Sequence, residues 1–204
     1  MAHSYLLAVA TGALSVLAPL AVLAANTNPD EVQPGAYTVE PYHTRVLFSV
    51  DHLGFNDYFG EFSGIKGILK LDPNNASGSQ VDVTIPVESL SLTNPQLESE
   101  LRGADWFDAA KFPAIRFVSR QVTRTGPKSA KIIGDLTMHG VTKPVELDAV
   151  FNAAGVDPLD KAYTAGFSAR GQIKRSDFGV SKYVPMIGDD VTLTVSAAFE
   201  KQPR

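Results

Sequence analysis

Apolar and polar residues alternate along most of this chain. The first clear example ends at His52 and places three apolar side chains on one face: Val46, Phe48 and Val50. The same period of two recurs in three later segments, residues 81–87, 145–151 and 191–199. Because successive side chains of a β-strand point to opposite faces, each segment is predicted to be a strand with one apolar face.

Eight strand-like segments follow one another after residue 36, separated by short turns rich in Gly, Pro and Asn. They lie near residues 43–52, 59–71, 80–87, 113–124, 130–138, 142–152, 162–175 and 189–200. The pattern predicts one all-β domain over residues 36–201. Its expected architecture is an eight-stranded antiparallel β-barrel in up-and-down order.

One interval, between the third and fourth predicted strands, breaks the period of two. Asn94 as N-cap, Pro95 at the first helical position and Gly103 at the end predict a short helix. Large apolar side chains follow it at once: Trp106, Phe107 and Phe112. This helical insertion is expected to plug or cover one end of the barrel and to control entry of a ligand.

The N-terminus is uncharged and apolar from residue 5 to residue 25, and a polar segment follows. Val22 and Ala24 stand at the positions that a signal peptidase requires, so residues 1–24 are predicted to be a secretory signal peptide. The region before the apolar run lacks the usual Lys or Arg. An uncleaved membrane anchor is the alternative, since about 20 apolar residues can span a bilayer.

Charge and residue usage narrow the function. A net charge of −4 and 18 basic residues scattered among 22 acidic ones argue against nucleic-acid binding. The chain has no cysteine, and it contains neither a nucleophile elbow nor a metal-binding histidine motif. We therefore predict no catalytic residues, no metal and no cofactor.

Periodicity alone leaves the interior of the barrel open. An eight-stranded barrel is either filled by side chains or holds one small ligand. Apolar strand faces also suit a barrel whose outer surface meets membrane lipid, although the expected aromatic girdles are missing here.

Four blocks of sequence, in order, resemble the YceI-like polyisoprenoid-binding family. They are residues 43–54 with 60–62, residues 101–108 with 112–119, residues 134–145, and residues 166–167 with 175–179. The resemblance extends from about residue 36 to residue 200. Trp106 departs from it, because the family usually has Phe or another large apolar residue there.

The resemblance implies a bacterial exported protein with an extended, lipocalin-like barrel and a hydrophobic tunnel. The tunnel would hold a polyprenyl chain or a prenylated quinone, and the protein would be periplasmic. The family supplies no catalytic residues.

Apolar residues of the inward strand faces, with aromatic residues near the strand ends, are the candidates for lining such a tunnel. They are Val46, Phe48, Val50, His52, Phe55, Phe59, Trp106, Phe107, Phe112, Phe117, Leu136, Met138, Leu147, Phe167, Phe178 and Phe199. Plain core packing is the alternative for each of them. Arg102 and Arg175 are candidates for binding a polar head group, with salt bridges to Asp105 or Asp177 as the alternative.

These features lead to one main hypothesis and two alternatives. The main hypothesis is an exported protein that sequesters or carries an isoprenoid lipid. It would exchange that lipid with a membrane redox or lipid-handling protein, and exposed sheet edges would favour a homodimer. The alternatives are a stress-protective barrel that binds nothing and a lipid-modifying enzyme that uses His52.

Overall fold

The computed structural model describes residues 25–203, which form ten β-strands and one α-helix. The strands are β1 (Gly35–Val39), β2 (Arg45–His52), β3 (Asn56–Phe62), β4 (Lys66–Leu71), β5 (Gln80–Pro86), β6 (Ala114–Arg124), β7 (Ser129–Met138), β8 (Val141–Val156), β9 (Tyr163–Lys174) and β10 (Ile187–Lys201). The helix is α1 (Pro95–Arg102), and four short 3-10 turns are Pro29–Glu31, Ala76–Gly78, Val87–Ser89 and Arg175–Phe178. The predicted signal peptide lies outside the described residues. Within residues 25–203, no helix has the length and apolar character needed to cross a membrane.

Eight of the strands close into a ring through main-chain pairing. The order around the ring is β1, β4, β5, β6, β7, β8, β9 and β10, and β10 then pairs with β1. Every neighbouring pair is antiparallel. The fold is therefore the predicted eight-stranded antiparallel barrel.

The length of β10 explains how ten strands fit a ring of eight. Its last residues pair with β1, as in Val39 opposite Phe199, whereas residues 191–196 pair with β2. β1 and β2 therefore follow one another along the same edge of β10. The hairpin β2–β3 extends the sheet beyond the closed ring.

The predicted strand 59–71 is interrupted, and β1 was not among the eight predicted segments. Residues 63–65 leave the sheet between β3 and β4, and Gly64 adopts a left-handed conformation with φ of 61°. The apolar pattern hides this break, because Phe62, Ile65 and Leu69 are all buried. Burial of apolar side chains on both sides of the turn gives no sign that main-chain pairing stops.

Helix α1 forms where the sequence predicts it, between β5 and β6. The Asn94 side chain accepts hydrogen bonds from the main-chain N–H groups of Gln96 (3.0 Å) and Leu97 (3.3 Å). The N–H of Gly103 donates to the carbonyl oxygen of Glu100 at 2.9 Å. The helix is thus capped at both ends by the residues that predicted it.

Packed side chains fill the end of the barrel nearest α1, which we call the closed end. Phe62, Val87, Leu90 and Phe178 have at most 5% of their surface exposed there. The ring of Phe107 meets that of Phe62 edge to face, with centroids 5.7 Å apart. The insertion therefore contributes aromatic side chains to a solid core at this end.

Candidate functional site

The ring encloses an elongated apolar cavity of about 260 Å³. Its wall consists of alternate residues of successive strands, because every second side chain of a barrel strand points inward. The wall residues include Val39, Val46, Ile65, Leu69, Leu71, Val81, Val83, Ile85, Phe117, Val122, Ala130, Ile132, Leu136, Val145, Leu147, Ala149, Phe151, Phe167, Ala169, Leu193, Val195, Ala197 and Phe199. The period of two in the sequence thus becomes the wall of a cavity rather than a filled interior.

Aromatic side chains line one side of this cavity. Phe151 on β8 contacts Phe167 on β9 edge to face at 5.6 Å, and Phe167 contacts Phe199 on β10 at 6.0 Å. Small residues, Ala149 and Ala169, stand beside each other on the same strands. The alternation of large and small side chains leaves room inside the barrel.

Polar lining residues gather at the end of the cavity opposite α1, which we call the mouth. They lie in the β4–β5 and β6–β7 connections or at the strand ends beside them, and are Asp72, Ser79, Gln80, Arg124, Lys128 and Ser129. Thr44 also lines the cavity, and its hydroxyl donates to the carbonyl oxygen of Ala198 at 3.2 Å. Among the described residues, none between 86 and 116 lines the cavity, so it is open at the mouth and blocked at the closed end.

A segment before β1, which we call the strap (Asn26–Val32), lies across one side of the mouth. Asn26 exchanges two main-chain hydrogen bonds with Ala154 of β8, at 2.7 and 2.8 Å. Asp30 forms an ion pair with Arg124 at 2.7 Å. Val32 is 3% exposed and lines the cavity together with Pro29.

Tyr37 holds the chain where the strap enters β1. It is fully buried, and its hydroxyl donates to the carbonyl oxygen of Gln33. Burial, assisted by the neighbouring Tyr163, raises the pKa of Tyr37 to about 12. The phenol therefore stays protonated and continues to donate at any physiological pH.

The predicted lining residues fall into groups at different positions along the barrel axis. Val46, Phe117, Leu136, Leu147, Phe167 and Phe199 line the cavity. Met138, Trp106, Phe107 and Phe178 lie in or against the packed core of the closed end. Phe48 packs against Phe62 with ring centroids 5.8 Å apart, and Phe112 contacts the ring of His139 at 4.9 Å.

The remaining predicted lining residues lie on the β2–β3 hairpin, outside the closed ring. Phe55 and Phe59 are 84% and 63% exposed. Val50 pairs with Tyr58 and Val191, and the His52 ring lies 6.3 Å from that of Tyr58. None of these four residues is among those that line the cavity. The period of two shows which side chains of a strand share a face. It does not show which part of the sheet closes into a ring.

Arg175 is buried at the closed end, where it stabilises the main chain. Its guanidinium donates to the carbonyl oxygens of Gly188 (2.8 Å), Val180 (2.9 Å), Lys182 (2.9 Å) and Ile187 (2.9 Å). Burial lowers its pKa, and the nearby Asp189 partly offsets that effect. These contacts leave the group directed at the loop between β9 and β10, away from the cavity.

Arg102, the other head-group candidate, also lies at the closed end. It donates to the carbonyl oxygen of Leu90 and lies 3.7 Å from a carboxylate oxygen of Glu88 and 3.6 Å from one of Glu98. The partners that the sequence suggested, Asp105 and Asp177, do not appear among these contacts. Asp105 instead pairs with Lys182 at 3.0 Å.

Sequence reasoning missed the polar residues of the mouth. Arg124 ends β6 and Lys128 lies in the surface turn that follows, where charged residues are common and carry no special signal. Only closure of the ring brings this turn beside the β4–β5 connection. By contrast, Ala149 and Phe151 follow the period of two, so the sequence pattern could have identified them as lining residues.

The described residues contain no group of three or more His, Asp or Glu side chains placed to hold a metal ion. The candidate site is thus a one-ended apolar cavity inside a closed antiparallel barrel. That description defines a class of barrel able to enclose an elongated apolar molecule.

Comparison with known proteins identifies the family. The family model described as YceI-like domain matches residues 37–199, and the chain belongs to this family. A UPF0312 protein of Pseudomonas savastanoi pv. phaseolicola is 33% identical over 186 residues, which cover 90% of this chain and 95% of that protein. The crystal structure of Burkholderia cenocepacia BcnA has a TM-score of 0.69 at 25% identity, covering 76% of this chain and 95% of that one.

A third match has the same fold at low sequence identity. It is a polyisoprenoid-binding domain from Saccharophagus degradans implicated in plant cell wall breakdown, with a TM-score of 0.62 and 11% identity. The match covers 83% of this chain and all of that domain. It shows that the two chains share a fold.

Proposed function

We propose that this protein binds the apolar chain of an isoprenoid-type lipid inside its barrel and carries or sequesters that lipid after export. The observation that carries the proposal is the one-ended cavity, whose wall is apolar except at the mouth. An apolar chain enters such a space without losing hydrogen bonds to water. A polar molecule would lose them, because the wall offers it no partners.

The dimensions of the cavity suit a chain rather than a compact ligand. On β10 alone the wall extends from Leu193 to Phe199, six residue steps or about 20 Å along the strand. Each buried methylene contributes roughly 0.8 kcal/mol, and ordering and association costs offset part of that sum. A chain of a few isoprene units therefore binds by burial alone, and the carbons of a longer tail lie beyond the mouth.

Two further considerations support the proposal. The Saccharophagus degradans domain, which shares this fold, is described as polyisoprenoid-binding, and this supports the proposal. The apolar N-terminal run supports export, with cleavage after Ala24. Intact mass of the protein from the periplasm tests that cleavage directly.

The experiment that tests lipid binding is organic extraction of the native protein followed by mass spectrometry, combined with titration of a fluorescent prenyl probe. Ala169→Phe places an aromatic ring into the open space beside Ala149. We expect this variant to fold and to lose probe binding by at least tenfold. Thr194→Phe, whose side chain is exposed on the outside of β10, is the matched control and should bind as the wild type does.

Extraction of no lipid, together with no probe binding by the wild type, would contradict the proposal. It would favour the stress-protective alternative, a barrel that binds nothing. Turnover of a prenyl lipid that His52→Ala abolishes, with binding retained, would instead favour the enzyme alternative.

A further inference from the structure

The β2–β3 hairpin stands outside the closed ring, and one of its edges lacks a partner strand. β3 pairs only with β2, whereas every strand of the ring has a neighbour on both sides. At one point of this edge, Glu61 exchanges two main-chain hydrogen bonds with Ser91, at 3.1 and 2.9 Å. The chain then continues into α1, so the rest of the β3 edge stays open.

The open part of the edge offers main-chain hydrogen-bonding groups. Alternate residues of an antiparallel strand direct these groups to the same side, so Phe59 and Asp57 point away from β2 as Glu61 does. The N–H and the carbonyl of Phe59 and the N–H of Asp57 have no hydrogen-bond partner within residues 25–203. The carbonyl of Asp57 accepts from the side chain of Asn56 at 3.0 Å. An unpaired edge of this kind is a template for another strand.

Large apolar side chains are exposed beside this edge. They are Leu53, Phe55 and Phe59 on the hairpin, and Tyr183 and Met186 in the loop between β9 and β10. The N–H of Leu53 donates to the carbonyl oxygen of Met186 at 3.2 Å, which joins the hairpin tip to that loop. An exposed group of apolar side chains next to a free sheet edge is typical of a surface that binds another protein.

The charges on the hairpin indicate what kind of strand this edge accepts. Asp57 lies directly opposite Asp51, and Glu61 shares their face of the hairpin. None of these three carboxylates forms an ion pair within residues 25–203. Like charges opposite each other destabilise a sheet, so a basic side chain beside Asp57 would be favourable. A second copy of β3 would instead bring the same carboxylates next to those already present.

We propose that the free edge of β3 binds an extended segment of a partner protein by strand addition, and that this segment has a basic residue between two apolar ones at alternate positions. The basic side chain lies beside Asp57. One apolar side chain lies beside Phe59 and the other beside the hairpin tip. Asp57 and Phe59 do not line the cavity, so the partner binds independently of the lipid.

The test uses two acetylated peptides that differ in one residue, Thr-Val-Thr-Lys-Thr-Val-Thr and the same peptide with Glu in place of Lys. We expect the Lys peptide to bind about fivefold more tightly at low ionic strength, and high salt to reduce that ratio. NMR titration measures both affinities, and the Lys peptide should slow hydrogen exchange at the amides of Asp57 and Phe59. Asp57→Lys should reverse the preference. Glu200→Lys, the same charge change at the far end of β10, is the control and should leave the preference unchanged.

A second pair of variants tests the main-chain bonds. Phe59→Pro removes the outward N–H, and proline is tolerated on an edge strand. Phe59→Thr loses the ring but keeps the N–H. We expect the proline variant to lose peptide binding and the threonine variant to bind more weakly with the same preference for Lys. All of these variants should bind the fluorescent prenyl probe as the wild type does, which separates this proposal from the proposed function and shows that they fold.

Three results would overturn the proposal. The first is that the wild type binds neither peptide or binds both equally. The second is that Phe59→Pro leaves peptide binding intact. The third is a dimer in sedimentation experiments that Phe59→Pro abolishes, which would assign the edge to a second copy of this chain.

Discussion

At the scale of single residues, two arginines at opposite ends of the barrel have different roles. Arg175 is 6% exposed and donates to four main-chain carbonyls, whereas Arg124 lies at the mouth and pairs with a carboxylate. The sequence makes Arg175 a candidate for binding a head group, together with Arg102, because both lie in blocks that resemble the family. In the structure Arg175 donates to four main-chain carbonyl oxygens, so its replacement is expected to affect stability rather than ligand binding.

We predict that Arg175→Met destabilises the protein by about 2–4 kcal/mol, because four buried carbonyl oxygens lose a charged donor. Chemical denaturation followed by circular dichroism measures this change. Arg120→Gln, an exposed residue paired with Asp135, is the control and should change stability by less than about 1 kcal/mol. Unchanged stability of Arg175→Met, with weaker binding of the fluorescent prenyl probe, would show that Arg175 contacts the bound lipid after all.

At the scale of elements, the sequence predicted most strands because one apolar face is enough to specify a strand. Helix α1 was predictable to the residue, since Asn94 and Gly103 cap it through local hydrogen bonds. The divisions between β1 and β2 and between β3 and β4 were not. They depend on pairing between distant segments: β1 and β2 pair with different parts of β10, β3 pairs with β2, and β4 pairs with β1 and β5.

Glu40 stabilises the division between β1 and β2. Its carboxylate accepts hydrogen bonds from the main-chain N–H groups of Tyr42 (2.9 Å) and His43 (2.7 Å) and contacts the His43 ring at 2.7 Å. Burial would raise the pKa of Glu40, but these hydrogen bonds outweigh it and the pKa is lowered. The carboxylate is therefore favoured in the folded state.

We predict that Glu40→Gln lowers the free energy of unfolding at neutral pH by about 1–2 kcal/mol. Because the folded-state pKa lies below the unfolded one, this contribution is present above the unfolded pKa and disappears as the pH falls through the folded pKa. Wild type and variant should therefore approach equal stability in acid. Denaturation curves at pH 7 and at acid pH measure the difference, and a gap that stays constant or widens in acid would refute this assignment.

At the scale of the whole molecule, the barrel has two unlike ends. The sequence predicted that the helical insertion would close one end, and its aromatic residues do lie at the closed end. The sequence also predicts ligand entry at this end, but α1 packs beside a core in which Leu90 and Phe178 are 1% exposed. The open end instead lies beside turns whose residues have no apolar pattern. The period of two identifies the side chains that form the wall of a barrel. It contains no information on which end of the barrel is filled by side chains.

We predict that ligands pass only through the mouth, and the absence of cysteine makes this simple to test. Gln80→Cys puts a unique thiol on the rim, and Lys111→Cys puts one on the exposed surface near the closed end. A bulky maleimide attached at residue 80 should slow uptake of geranylgeraniol at least tenfold, because the group obstructs the opening. The same label at residue 111 should leave uptake unchanged. If the label at residue 111 blocked uptake and the label at residue 80 did not, the lipid would enter beside α1, and the one-ended cavity would have to be abandoned.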